Sequence, residues 1–269
     1  MAMQHCEQGR YEEARPLLER ALEVDPRHVD SLGSLGQLHF EQGRHDEAQP
    51  LLERVLVVDP RHLPTLHSLG NLHIYQGRQE EARLLFKRAL RVDPRHVLTL
   101  FSLGNLHCNQ GRLDEAQPLY ERALDVDPRH VDTLCSFGSL HSEQGRFDEA
   151  RLLWERGLAV DPRHVNTLYS LGLLQSIQGR SAKARSLLER ALAINPENQA
   201  IQSALAGLTS IQSALAGLTS PQQAIPEPQP PQPARLPART ELGIRGLSKR
   251  PELNGRRCVV RSFDAERGR

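Results

Sequence analysis

The chain has 269 residues, with 34 Lys and Arg against 33 Asp and Glu, and 38% hydrophobic but only 4% aromatic content. Its four cysteines, Cys6, Cys108, Cys135 and Cys258, form no CxxC pair and no framework spacing, which argues against a disulfide scaffold and fits free thiols in a reducing compartment. No apolar stretch approaches the roughly 18 residues of a membrane span, and Met1 to Glu7 holds no apolar secretory core, so the expected setting is cytoplasmic with no membrane partner.

Glycine recurs at Gly9, Gly43, Gly77, Gly111, Gly145 and Gly179, a step of 34 residues. Asp-Pro keeps the same step at Pro26, Pro60, Pro94, Pro128 and Pro162, and Asn195-Pro196 closes the series. A fixed period of this length marks a repeat array. Residues 1–28 hold the end of a first helix and a complete second one. Full copies follow at 29–62, 63–96, 97–130, 131–164 and 165–198.

Within 29–62, Leu32, Leu35, Gly36 and His39 have the spacing of one helical face. Gly43 then breaks the pattern as a residue free to take a positive φ. Asp46 is expected to cap or begin a second helix, whose stripe is Ala48, Leu51, Leu52, Val55 and Leu56. Asp59-Pro60 ends it, because a residue before proline avoids the helical region. Gly36, Gly70, Gly104, Gly138 and Gly172 on first helices, with Ala48 and its equivalents on second helices, predict close backbone packing. Pro16, Pro50 and Pro118 are expected in the first turn of second helices, where a missing N–H is tolerated. Glu-Arg pairs such as Glu53-Arg54 and Glu121-Arg122 read as a solvated helix face.

Ile201–Ser210 is repeated without change as Ile211–Ser220, and the helical spacing of Ile201, Leu205, Leu208 and Ile211 predicts a capping helix over 199–220. Residues 221–240 read as a Pro- and Gln-rich disordered linker. Within it, Pro230-Pro231-Gln232-Pro233-Ala234-Arg235 fits a PxxPxR ligand for an SH3 domain. The last 49 residues carry ten Lys and Arg against five Asp and Glu. This basic tail is the sole hint of a nucleic-acid partner, and the overall reading takes none. Residues 241–269 are expected to form an incomplete β module. From Pro251-Glu252-Leu253-Asn254-Gly255 to Phe263-Asp264, residues 247–269 resemble a truncated SH3-like module.

Leu66, Leu69-Gly70, His73, Gly77, Ala82, Phe86, Ala89 and Pro94 reproduce the pattern of the tetratricopeptide repeat, and residues 1–198 resemble that family. Two departures are regular: Leu stands for its usual Trp, and His39, His73, His107 and His141 for its usual Tyr. The resemblance implies an all-α fold, a right-handed α-α superhelix (a solenoid of stacked helical hairpins). Its groove, lined by first helices, would bind a peptide segment or helix of a partner protein, without enzymatic activity and without a cofactor.

Scaffold positions barely change between copies, whereas three first-helix registers vary: Gly33, His67, Phe101, Cys135 and Tyr169; Phe40, Ile74, Cys108, Ser142 and Ser176; and Glu41, Tyr75, Asn109, Glu143 and Ile177. In the family these face the groove. Either a ligand selected this variety or the positions drifted where the fold leaves them free. Gln37, Asn71, Asn105 and Ser139 share another register suited to hydrogen bonds with a peptide backbone. The expected binding set is therefore Gln37, His67, Asn71, Ile74, Tyr75, Phe101, Asn105, Asn109, Ser139 and Tyr169, with Ile74, Tyr75 and Phe101 as an apolar and aromatic patch. The family's carboxylate-clamp subset, which holds chaperone tails, is disfavoured because His67 and Phe101 stand where a cation would help.

Twelve histidines raise the question of a metal, but ladder positions on successive helices lie roughly 8–10 Å apart, too far for ligands about 2 Å from one ion. Five histidines before five helix starts read as interface or capping residues, and no metal is expected. Cys108 and Cys135 are expected toward the groove as structural thiols. A second reading makes the array the substrate-recognition part of a larger enzyme of glycosyltransferase type.

Overall fold

A computed structural model describes residues 11–219 together with 242–243 and 257–258. The opening ten residues, the Pro/Gln-rich linker with its SH3 motif, and all of the basic tail and SH3-like segment except Leu242–Gly243 and Arg257–Cys258 lie outside the described residues. Twelve helices are described: α1 Tyr11–Val24, α2 Val29–Glu41, α3 His45–Val58, α4 Leu63–Tyr75, α5 Gln79–Val92, α6 Val97–Asn109, α7 Leu113–Val126, α8 Val131–Glu143, α9 Phe147–Val160, α10 Val165–Ile177, α11 Ser181–Ile194 and α12 Gln199–Thr219. The chain divides into two units, Met1–Ala214 and Leu215–Arg269. In the second unit, β1 Leu242–Gly243 pairs antiparallel with β2 Arg257–Cys258, Leu242 opposite Cys258.

The first unit is an all-α solenoid. Each first helix packs on the second helix of its own hairpin and also on the first helix of the next, α2 on α4, α4 on α6, α6 on α8 and α8 on α10. No such contact joins successive second helices among the described residues. Contact on one side only bends the stack toward that side, so the first helices line its inner face.

Close approach inside each hairpin rests on a glycine. A Cβ on Gly36 would meet Leu52 at 2.8 Å, one on Gly104 would meet Tyr120 at 2.6 Å, and one on Gly138 would meet Trp154 at 2.5 Å. The side chain from the second helix, Leu52, Phe86, Tyr120, Trp154 or Leu188, lies buried over that gap. The turn between the two helices is a Schellman motif: at Gly43, φ is 73°, its N–H donates to Phe40 O at 2.9 Å, and the Arg44 N–H donates to His39 O at 2.9 Å.

Two sequence expectations need correction. The second helix begins at His45, capped by Arg44 without a side-chain bond, and Asp46 and Glu47 occupy its first turn, where their charge complements the helix dipole. Pro16, Pro50 and Pro118 are accordingly the sixth residues of α1, α3 and α7, past the first turn. Each forfeits one intrahelical bond to a carbonyl four residues earlier, tolerable because the prolines are exposed to water.

The arginines of the Glu-Arg pairs, and Arg88 in the equivalent Lys87-Arg88, do more than solvate a face. Arg54, Arg88, Arg122, Arg156 and Arg190 donate to the carbonyls of Pro26, Pro60, Pro94, Pro128 and Pro162 of the preceding repeat, at 2.6–3.4 Å. The aspartate before each proline accepts from the N–H two residues on, as Asp59 does from Arg61 at 2.9 Å. Asp-Pro-Arg is thus both a helix stop and a link between repeats.

Histidines in the two ladders have separate duties. His28, His62, His96, His130 and His164 precede the first helices, each with Nδ1 2.7–2.9 Å from the hydroxyl of Ser31, Thr65, Thr99, Thr133 or Thr167. His39, His73, His107 and His141 are buried near the ends of those helices, and burial pushes their pKa values down. Gln175 holds the same register in α10. At the far end, Ile201 and Leu208 of α12 are buried with Leu188 and Ala191 of α11.

Gly70→Ala should destabilise the array by about 1–3 kcal/mol, because Phe86 must shift; Gly43→Ala, whose Cβ meets nothing within 4 Å, should cost about 1 kcal/mol from its positive φ alone. Urea midpoints of the two variants check both values. A second expectation concerns pH. The buried ladder histidines stay neutral in the fold while their unfolded forms take up protons below the ordinary value of 6.5. Stability should therefore fall as pH drops through 6.5 toward their lowered native values. Replacing the four by Gln, as at Gln175, should flatten thermal melting temperature against pH across that window.

Candidate functional site

The inner face carries the predicted registers, and the structure sorts them. The register of His67 and Phe101 abuts the next repeat: His67 lies 5.7 Å, ring to ring, from His96, and Phe101 lies 5.5 Å from His130. Cys135, in the same register, is buried, and Tyr169 packs against the cluster around Leu168 and Ile201. In the second register, Phe40, Ile74 and Cys108 pack against the core clusters that contain Leu66, Leu100 and Leu134 of the following first helix. Variation in these two registers is therefore tied to the joint between repeats. The third register is open to solvent, with Tyr75 71% and Ile177 74% exposed and Asn109 exposed.

Ile74, Tyr75 and Phe101 do not meet as one patch. Ile74 packs with Phe86 and Leu103, Tyr75 stacks on His45 and meets the edge of Phe40, both at 5.5 Å, and Phe101 packs with Tyr120 and Phe137. Phe101 lies in the first half of α6, whereas Ile74 and Tyr75 end α4. Seven residues of helix put them roughly 10 Å apart along the axis.

The polar register is held in place by intramolecular bonds. Gln37 accepts from Ser68 Oγ at 2.7 Å and donates to Glu41 at 2.9 Å. Asn71 Nδ2 lies 3.3 Å from His67 Nε2, which also lies 3.1 Å from Ser102 Oγ. Burial, reinforced by His96 and partly offset by the Leu98 backbone, lowers the His67 pKa to about 4. At neutral pH His67 is an uncharged bridge between α4 and α6. The Tyr120 hydroxyl, arriving from α7, donates to Asn105 Oδ1 at 2.6 Å, with Cys108 Sγ 3.4 Å away. Burial pushes the Tyr120 phenol upward, so it remains a donor. Ser139 turns inward and donates to Cys135 O at 3.2 Å.

Among the described residues, Asn71 Oδ1 and Asn105 Nδ2 have no hydrogen-bond partner. Gln37 and His67 also share the wall of a depression of about 630 Å³ between α2, α4 and α6, together with His62, Ser68 and His96. Cys108 and Cys135 both have thiols raised by burial, which suits structural roles. Among the described residues no three His, Cys, Asp or Glu side chains come together as a metal site would require. No described helix is long and apolar enough to cross a membrane.

Sequence reasoning passed over Ser68, Ser102 and Tyr120. The first two had a signal: Ser34, Ser68, Ser102, Ser136 and Ser170 are constant between two variable registers. Tyr120 had one as well, since it is the only hydroxyl among Leu18, Leu52, Phe86, Tyr120, Trp154 and Leu188, and a buried phenol needs an acceptor.

Known proteins agree with this architecture. Four models of the tetratricopeptide repeat match residues 6–72, 64–96, 96–163 and 135–199. No curated protein matches the chain. Among solved structures, it is similar to YrrB, described as a tetratricopeptide-repeat protein with an unusual peptide-binding site, at 20% identity and TM-score 0.52 over 70% of this chain and 96% of that one. PilF of Pseudomonas aeruginosa aligns at 19% identity and TM-score 0.66, over 77% and 94%. The Cut9–Hcn1 assembly aligns at 19% identity and TM-score 0.71 over 77% of this chain, which spans 41% of that one. At these identities the likenesses establish the fold, and with the repeat models they lead to one conclusion: the chain belongs to the tetratricopeptide repeat family.

Proposed function

We propose that the chain is a non-enzymatic scaffold that holds an extended segment of a partner protein on the inner face of the array, centred on α4 and α6. The observation that carries this reading is the pair Asn71 and Asn105. Each amide is oriented by a partner from its own fold, and each keeps one half unpaired. An acceptor on one helix and a donor on the next match the N–H and C=O groups of an extended backbone. Because His67 and Tyr120 have already fixed the amides, binding loses less side-chain entropy than it would from free rotors. Asn109 and Tyr75, exposed at the ends of α6 and α4, are placed to read side chains of the ligand.

Peptides selected from a random display library on the intact chain provide the test. Asn71→Ala with Asn105→Ala should weaken a selected peptide about thirtyfold, at about 1 kcal/mol for each of the two lost hydrogen bonds. Tyr120→Phe, which only releases Asn105, should weaken it less. Fluorescence anisotropy measures both, and parental affinity in the double variant would rule out this placement.

A further inference from the structure

The second helices carry a nearly uniform acidic mark on their outer side. The ninth residue is Glu19 in α1, Glu53 in α3, Glu121 in α7, Glu155 in α9 and Glu189 in α11, but Lys87 in α5. Four residues on, where other helices carry Glu23, Val57, Asp125 or alanine, α5 carries Arg91. Leu84, Lys87 and Arg91 fall at i, i+3 and i+7, one face of the helix, and Leu84 is 58% exposed. Lys87 and Arg91 are exposed, with no carboxylate at ion-pair distance among the described residues. The neighbouring Arg88 is occupied by the Pro60 carbonyl and Arg83 by Glu80.

This basic ridge divides two depressions. One, of about 570 Å³, has Leu56, Val57 and Leu84 in its wall; the other, of about 630 Å³, has Leu90, Leu103 and Pro118. Lys87 and Arg91 border both. Glu53 of α3 stands across the first from the ridge, with Glu81 on α5 itself, and Asp114, Glu115 and Arg122 of α7 stand across the second. Lys87 and Arg91 are thus two adjacent cations with carboxylates in the walls of both depressions, an arrangement that favours one register for a complementary charge.

We propose that the outer face of α5 is a second docking site, for an acidic protein segment with apolar side chains beside its carboxylates. The carboxylates lie along Lys87 and Arg91, and the apolar side chains enter the two depressions. A purely anionic ligand would leave Leu84 and Val57 in water; a purely apolar one would leave both cations unpaired. This site is separate from the inner-face reading and does not depend on it.

The probe is a fluorescein-labelled peptide of four Glu-Glu-Leu triplets, titrated against the intact chain, with Glu-Glu-Ser and Lys-Lys-Leu counterparts. Lys87→Glu with Arg91→Glu installs acidic residues that equivalent helices already carry, so the fold survives and the melting temperature verifies it. Binding of Glu-Glu-Leu should fall about tenfold or more in this variant, be unchanged in Asn71→Ala with Asn105→Ala, and exceed that of both counterparts. Unchanged binding after charge reversal, or equal binding of Glu-Glu-Ser, would overturn the proposal. So would sedimentation showing a dimer of the chain that charge reversal dissolves, because the occupant would then be a second copy.

Discussion

Everything in the array depends on how closely the two helices of a hairpin approach at one point. A glycine on the first helix removes the Cβ, and the large side chain of the second helix fills the space left. The contact brings the helices together and places the second-helix side chain directly beneath the residues that line the inner face. What that side chain carries at its tip therefore matters beyond packing. Leu52 offers methyl groups only, whereas Tyr120 brings a hydroxyl up to Asn105 and sets the orientation of its amide.

The joint between repeats works by a different set of contacts. On the inner side, His67 bridges to Ser102, and Ser68 reaches back to Gln37. On the outer side, arginines bind proline carbonyls of the preceding repeat. Between them lie the apolar clusters, each made of residues from neighbouring hairpins. Each repeat is completed by its neighbour, and the terminal one is completed by α12. In such a linear stack the nearest-neighbour terms dominate stability. A local change is felt in one joint, leaving the surface of α5 free to differ from its equivalents.

The sequence showed which residues share a register on the first helices. Asn71 and Asn105 were identified from their common register, and the helix-start histidines were read as interface or capping residues, which is how they bond. The apolar and aromatic patch was not legible. Periodicity places Ile74, Tyr75 and Phe101 on inner helices, but two of the three side chains turn into the joint between repeats. The registers of His67 and Ile74 likewise vary partly because each must fit a different neighbour. A comparison of copies within one chain cannot separate a ligand's demand from that of the adjoining repeat.

The sequence by itself determined the 34-residue period, the proline stop after each second helix, the glycine turn and the stacked all-α architecture. Those features follow from local rules: the spacing of apolar residues, the φ that glycine permits, and the conformations that proline forbids. Only the tertiary structure decided which polar groups are held and which remain free. It also showed the outward charge of α5 as an isolated basic ridge between apolar depressions. The pairs that join neighbouring helices lie far apart in the chain, 15 residues for Asn105 with Tyr120 and 35 for His67 with Ser102. Their meeting depends on how one helix is seated on the next, and no local rule of sequence carries that information.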